Sequence, residues 1–283
     1  MPTSDSQTLV SAAWLKDHLS APDLKVLDAT WRLPPTDRDA RAEFEERHIP
    51  GAAFFDLEGV ADERSGLPHT VPPLEKFVSR VRKLGVGDGH RIVIYDAIGM
   101  FSAPRAWWMF RYFGHAEVAV LDGGLPAWIE AGGPLEDLPT PPRDRHFTPR
   151  VNSMLLSDVT NVSEALKLGA AQVVDARSAA RFAGTEPEPR PGMRAGHMPG
   201  ALNVPYGALL TEDGRMKPVE ALRAAFEAAG VDLSRPVITS CGSGVTAAVA
   251  TLALERLGVR AHSLYDGSWA EWGASEMLPV ETG

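Results

Sequence analysis

Val237-Ile238-Thr239-Ser240-Cys241-Gly242-Ser243-Gly244-Val245-Thr246 passes from an apolar, β-branched stretch through two glycines into a segment with helical periodicity. A strand that ends in a glycine-rich turn and opens a helix is one arm of a parallel α/β unit. The same arrangement occurs 145 residues earlier, where Ile92-Val93-Ile94-Tyr95 ends in Asp96. Further out, Val26-Leu27-Asp28-Ala29 returns as Val173-Val174-Asp175-Ala176, and His48-Ile49-Pro50-Gly51-Ala52 returns as His197-Met198-Pro199-Gly200-Ala201. The turn at Leu121-Asp122-Gly123-Gly124, followed by Trp128, returns as Tyr265-Asp266-Gly267-Ser268, followed by Trp272. Four landmarks in one order, at spacings that differ only by small insertions, make the chain an internal duplication.

Short β-branched runs at 25–27, 91–95 and 117–121, and again at 172–174, 236–240 and 261–264, alternate with helical patterns at 74–84, 103–113, 219–229 and 245–257. The expected fold class is therefore α/β: two tandem domains, each a parallel β-sheet flanked by helices. Prolines at 134, 139, 141, 142 and 149 resist helix and predict an extended linker over 133–150. The expected domains are 1–150, linker included, and 151–283.

With 283 residues, 44% of them apolar and 23% charged, the chain can bury two cores of ordinary size. A formal charge of −9, with no basic run interleaved with aromatics, argues against nucleic acid or an anionic membrane as partner. Residues 1–10 are polar and no stretch reaches the ~18 apolar residues of a membrane span, so a cytoplasmic protein is expected.

Cys241 is the single cysteine, which excludes an internal disulfide, a resolving partner thiol and a cysteine metal cluster. A lone cysteine is often a small buried hydrophobe. Here it sits where a strand meets a helix N-terminus, and Gly242 and Gly244 leave the backbone N–H groups free to turn toward the sulfur. Those N–H groups and the helix dipole favour the thiolate, the nucleophilic form. A cysteine phosphatase would need an arginine six positions on to grip phosphate, and that position is Ala247. No His, Cys and carboxylate cluster has metal-ligand spacing and no dinucleotide fingerprint follows a strand, so neither a metal nor an organic cofactor is expected.

The loop from Cys241 to Thr246, the repeated landmarks, the Gly184-Thr185-Glu186-Pro187-Glu188-Pro189-Arg190 segment and Tyr265-Asp266-Gly267-Ser268-Trp269-Ala270-Glu271-Trp272 together resemble the two-domain sulfurtransferases of the rhodanese superfamily, over residues 9–272. The resemblance implies tandem rhodanese-like domains with a silent first copy, where Asp96 replaces the cysteine. It implies that Cys241 takes sulfur from 3-mercaptopyruvate as a persulfide, releases pyruvate, and passes the sulfur to thioredoxin, a low-molecular-weight thiol or cyanide.

It further implies a catalytic set of Cys241, Ser243, His69 and Glu58, the last three as a proton relay. The donor would be bound by Arg181, Arg190 and the loop residues Gly242, Gly244, Val245 and Thr246. On that reading Glu58 and His69 come from the first domain and Ser243 from the second. Taken as residues alone, His69 can equally be a turn histidine, Ser243 a turn residue, and Arg181 and Arg190 the surface partners of Glu186 or Glu188. Thiosulfate-using relatives place basic residues after the cysteine, where this chain has the neutral Gly242 and Ser243. Thiosulfate as donor, a protein-fed persulfide carrier and a docking module remain the alternatives. His48, His197, Asp28, Asp175, Asp122 and Asp266 recur in both copies, so symmetry assigns them to the scaffold, and Trp269 and Trp272 to core or cleft wall.

Overall fold

The computed structural model describes residues 8–139, 141 and 144–283. Of the polar stretch 1–10, residues 1–7 lie outside the described residues, as does Pro142 of the linker.

The chain forms two compact units. In the first, strands β1 (Leu9–Val10), β2 (Leu24–Asp28), β3 (Ala53–Phe54), β4 (Arg91–Tyr95) and β5 (Val118–Leu121) make a sheet in the order β1-β5-β4-β2-β3. In the second, β6 (Leu156–Ser157), β7 (Gln172–Asp175), β8 (Leu202–Asn203), β9 (Val237–Ser240) and β10 (His262–Tyr265) repeat it as β6-β10-β9-β7-β8. Every neighbouring pair is parallel. Parallel strands need covered faces, which is why the central ones read as near-continuous apolar runs rather than alternating ones.

Register decides where the chemistry falls. Asp28 lies opposite Tyr95, and Asp175 opposite Ser240, each at the carboxyl end of its strand. The next residues in β4 and β9 are Asp96 and Cys241, so both leave the sheet at the edge where α/β folds place their ligands.

The helices follow their patterns. The helix Leu74–Lys83 buries Phe77 and Val81, four positions apart on one face, with Glu75 in its first turn and Arg80, Arg82 and Lys83 in its last. The helices Ala103–Tyr112 and Ala247–Arg256, which follow the Asp96 and Cys241 loops, are buried on nearly every face. The second starts at Ala247 rather than Val245, because the loop turns through Gly244 at φ +79° before the chain becomes helical.

The units are not contiguous in sequence. The first comprises Met1–Val60, Pro72–Asn152 and Glu212–Met216, and the second Ala61–Val71, Ser153–Thr211 and Lys217–Gly283. Each exchanged segment is anchored by a turn aspartate of the unit it joins: the Met216 N–H donates to Asp122 at 2.8 Å, and the Val71 N–H donates to Asp266 at 2.8 Å. The proline-rich stretch belongs to the first unit. Phe147 packs edge-on to Phe77, and the Arg150 and Asn152 N–H groups donate to the carbonyls of Phe113 and Tyr112.

The recurring histidines are scaffold in both units. Nδ1–H of His48 donates to the Phe44 carbonyl at 2.7 Å and that of His197 to the Phe182 carbonyl at 2.8 Å. Each imidazole stacks on that same phenylalanine. Their backbone N–H groups donate to the carbonyls of Glu136 and Glu281. Trp269 and Trp272 are both core residues of the second unit.

Candidate active site

Cys241 is buried, and its backbone is fixed from below. Its N–H donates to Ser268 Oγ at 3.3 Å, Ser268 Oγ–H donates to the Tyr265 carbonyl at 2.8 Å, and the Cys241 carbonyl accepts the Trp269 N–H at 2.9 Å. Ser268 holds this place at φ +49°, a left-handed conformation rare for a residue with a side chain. Among the described residues, none accepts a hydrogen bond from the backbone N–H of Gly242, Ser243, Gly244, Val245 or Thr246. Backbone donors without a protein acceptor, on a loop at a strand's carboxyl end, are what an anion site requires.

Arg181 and Arg190 come to this loop from the Gly184–Arg190 turn and the short helix Ala179–Ala183 before it. A β-carbon added to Gly242 would lie 3.0 Å from Arg181 Nη2 and 3.9 Å from Arg190 Nη1. Any side chain at position 242 would thus compete with the guanidinium groups for one space. The pairing with Glu188 considered from sequence also exists, as Arg181 donates to it from Nη2 at 2.5 Å and Nε at 3.2 Å. It is no solvated surface pair, since the Glu188 side chain is only 2% exposed. One edge of the guanidinium is held by Glu188 while Nη2 also lies close to Gly242 of the cysteine loop.

The structure brings His69 to Ser243. Nδ1 and Oγ share a hydrogen bond of 3.0 Å, and both side chains are buried. His69 takes φ +60°, and the turn carrying it is closed by the Asp62 N–H to the Thr70 carbonyl and by Ser65 Oγ to Thr70 Oγ1 at 2.7 Å. This corrects the domain placement expected from sequence, because His69 belongs to the same unit as Ser243. Glu58 belongs to the first unit, where it accepts the Trp31 indole N–H at 2.9 Å.

Two residues of this site escaped the sequence reading. Arg177 is fully buried, bound to Asp175 through Nε and Nη2 and to Glu188 through Nη1 at 2.7 Å, with its guanidinium 4.2 Å from the Trp269 ring centroid. Glu188 was visible only as an acidic neighbour. The usable signal was an aspartate ending a strand with an arginine two residues on, a pairing the first copy lacks, where the same place is Thr30.

The rhodanese-like domain family matches residues 11–131 and 158–275. The chain is 45% identical over 272 residues to 3-mercaptopyruvate sulfurtransferase of Homo sapiens, covering 94% of this chain and 92% of that one. It is 45% identical over 273 residues to the protein of that name from Escherichia coli K12, covering 96% and 97%. The crystal structure of SseA from Escherichia coli, described as a 3-mercaptopyruvate sulfotransferase, superposes with a TM-score of 0.86 at 42% identity, covering 93% of this chain and 99% of the other.

A cysteine at the end of a central parallel strand, in a loop of unclaimed N–H groups, within a duplicated domain whose first copy has lost the thiol, defines a sulfurtransferase enzyme of two α/β domains. The chain belongs to the rhodanese family.

Proposed function

We propose that this sulfurtransferase draws its sulfur from 3-mercaptopyruvate and carries it as a persulfide on Cys241. The observation that carries the reading is the pair of guanidinium groups at Gly242, beside the nucleophile and not on it. A thiosulfate dianion is best met by cations at the cysteine itself. A mercaptopyruvate carries its carboxylate two carbons beyond the carbon that bears sulfur, and guanidinium groups at that remove suit it.

The Cys241 thiolate attacks the donor's thiol sulfur. An S–S bond forms, the C–S bond breaks with its electron pair on carbon, and pyruvate departs as its enolate, which then takes a proton at carbon. Charge moves from sulfur to the enolate oxygen, so donors fixed before reaction stabilise the transition state. Ser243 Oγ–H serves that oxygen or the proton transfer, with His69 setting its orientation through their hydrogen bond. The N–H groups of Gly242 to Thr246 hold the thiolate and then the persulfide. Glu58 stays in the proposed relay on the sequence resemblance alone, and its test is the turnover of Glu58→Gln.

In the second half-reaction an acceptor, a thiolate or cyanide, attacks the outer sulfur; a bond to that sulfur forms, the S–S bond breaks with its electron pair on Cys241, and the thiolate is regenerated. The chain holds no second cysteine, so the acceptor is external: a low-molecular-weight thiol, thioredoxin or cyanide. A lone thiol in that cycle suits a reducing compartment such as the cytoplasm. Among the described residues no helix is long and apolar enough to cross a membrane.

The test omits the acceptor. Protein mixed with 3-mercaptopyruvate should gain one sulfur, about 32 Da, on Cys241 with one pyruvate released per chain, and should do so much faster than with thiosulfate. Faster loading from thiosulfate would reassign the donor, and loading from neither would leave a protein-fed carrier or a docking module.

A further inference from the structure

The guanidinium at Gly242 does not position itself. Arg181 belongs to an alternating series of buried charges in the second unit, running Asp175, Arg177, Glu188, Arg181. Asp175 and Arg177 are fully buried and joined at 2.6 Å, Arg177 Nη1 donates to Glu188 Oε1 at 2.7 Å, and Arg181 Nη2 donates to Glu188 Oε2 at 2.5 Å. The far end of the series is immobile. Arg177 also donates to the Gly196 carbonyl at 2.9 Å and lies on the Trp269 ring, and Trp269 is the residue whose backbone N–H holds the Cys241 carbonyl. The series therefore starts beneath the nucleophile's peptide and returns above it, where the Arg181 guanidinium faces Gly242.

We propose that Glu188 is the positioning residue of the donor site: its carboxylate, clamped by buried Arg177, fixes the reach and orientation of Arg181 so that one edge of that guanidinium stays open to the carboxylate of the sulfur donor. The proposal rests on the reading that Arg181 holds that carboxylate. The charge order supports it. Glu188 is the single anion shared by the two guanidinium groups, so removing its charge leaves two like charges side by side and turns Arg181 away from the loop. Glu188 Oε1 is shared by Arg177 Nη1 and Arg181 Nε while Oε2 takes Arg181 Nη2, so the carboxylate grips the Nε/Nη2 edge of Arg181 and leaves its Nη1 for another anion.

The experiment compares Glu188→Gln, Glu188→Asp, Arg181→Ala and the Glu188→Gln, Arg181→Ala double variant by steady-state kinetics with 3-mercaptopyruvate. A second readout alkylates Cys241 in the acceptor-free protein with iodoacetate and with iodoacetamide. Each forms an S–CH2 bond and expels iodide, but only iodoacetate carries a carboxylate. Loss of a charge-assisted contact made by the donor should raise KM about tenfold or more in Arg181→Ala and in Glu188→Gln, with a smaller change in kcat. The iodoacetate-to-iodoacetamide rate ratio should fall by a similar factor, about tenfold. In the Arg181→Ala background Glu188→Gln should change KM less than about twofold, because a residue acting through another has nothing left to act on.

A full KM effect of Arg181→Ala with no effect of Glu188→Gln would overturn the positioning role. So would a parallel fall of kcat and of both alkylation rates, which is what general loosening of the unit produces. No KM effect of Arg181→Ala would instead remove the clamp reading itself. Glu188→Asp keeps the buried charge balanced while shortening the reach, so it carries the same comparison where Glu188→Gln fails to fold.

Discussion

The Asp96 loop and the Cys241 loop are one structure used in two ways. Both follow a central strand and both precede a buried helix, and in the first the backbone N–H groups converge on the residue that occupies the first position. In the first unit that occupant is a carboxylate: Asp96 Oδ1 accepts the N–H groups of Ile98 and Gly99, and Oδ2 those of Phe101, Ser102 and Ala103, all at 2.9 Å. The chain thus carries its own demonstration that this loop binds an anion. In the second unit a thiol stands in the same place, and among the described residues the loop's donors reach no protein acceptor. One copy fills the cradle with a carboxylate side chain, and in the other the corresponding N–H groups have no protein acceptor among the described residues.

A second difference lies beneath the loops. Gly124 sits at φ +57°, and an added β-carbon would lie 2.3 Å from the Asp96 carbonyl oxygen. Its counterpart in the second unit is Ser268, equally left-handed but with a side chain that accepts the Cys241 N–H. Stored backbone strain accompanies the reactive copy, where it fixes the nucleophile.

The comparison is broken most completely at Cys241. Cys241→Ser keeps the cradle but removes the polarizable sulfur, and turnover should fall by more than about a thousandfold with every donor, measured as pyruvate or thiocyanate formed. Residual loading by mass spectrometry would place a carrier elsewhere.

Asp96→Ala tests the same cradle through stability. Five N–H groups, three of them in buried hydrogen bonds, lose their acceptor at once, which should cost about 3–5 kcal/mol in denaturant unfolding of the first unit. The folded fraction should still load sulfur at Cys241. A cost under about 1 kcal/mol would mean that water replaces the carboxylate freely and that the loop is a poorer anion cradle than it looks.

The smallest effect concerns Asp28, opposite Tyr95 at the carboxyl end of β2. Burial pushes its carboxyl up from 3.8 to about 6, against the hydrogen bonds from Thr30 that favour the ionised form. A folded value above the unfolded one means that the folded state binds the extra proton, so this group's contribution to stability is lost as pH rises from about 4 to about 6. Asp28→Asn should therefore be more favourable at pH 7.5 than at pH 4.5, by up to about 2 kcal/mol, read from denaturation at the two pH values. In the second unit Asp175 is compensated by Arg177, and Asp175→Asn should be destabilising at both pH values. Equal behaviour of the two aspartates would erase this part of the contrast.

The sequence made most of this legible because its signals are local. β-branched runs found the central strands β2, β4, β5, β7, β9 and β10 to within one residue at each end, since a strand buried on both faces cannot hide its composition. The two-residue edge strands β1, β3, β6 and β8 were missed, being too short to show any period. The duplication, the place of Cys241 at the end of a central strand and the aspartate at the matching place in the first copy could all be read by setting the chain against itself.

Tertiary structure alone decided the rest. No period or propensity says that Ala61–Val71 leaves its own half to carry His69 to Ser243, because that placement rests on contacts such as the Val71 N–H to Asp266, 195 residues apart in sequence. Nor does spacing show that Glu188, on a proline-rich turn, is sealed between two arginines. Burial and pairing of charge arise only when distant segments pack together, and a carboxylate sealed between guanidinium groups reads in sequence just as a solvated one does.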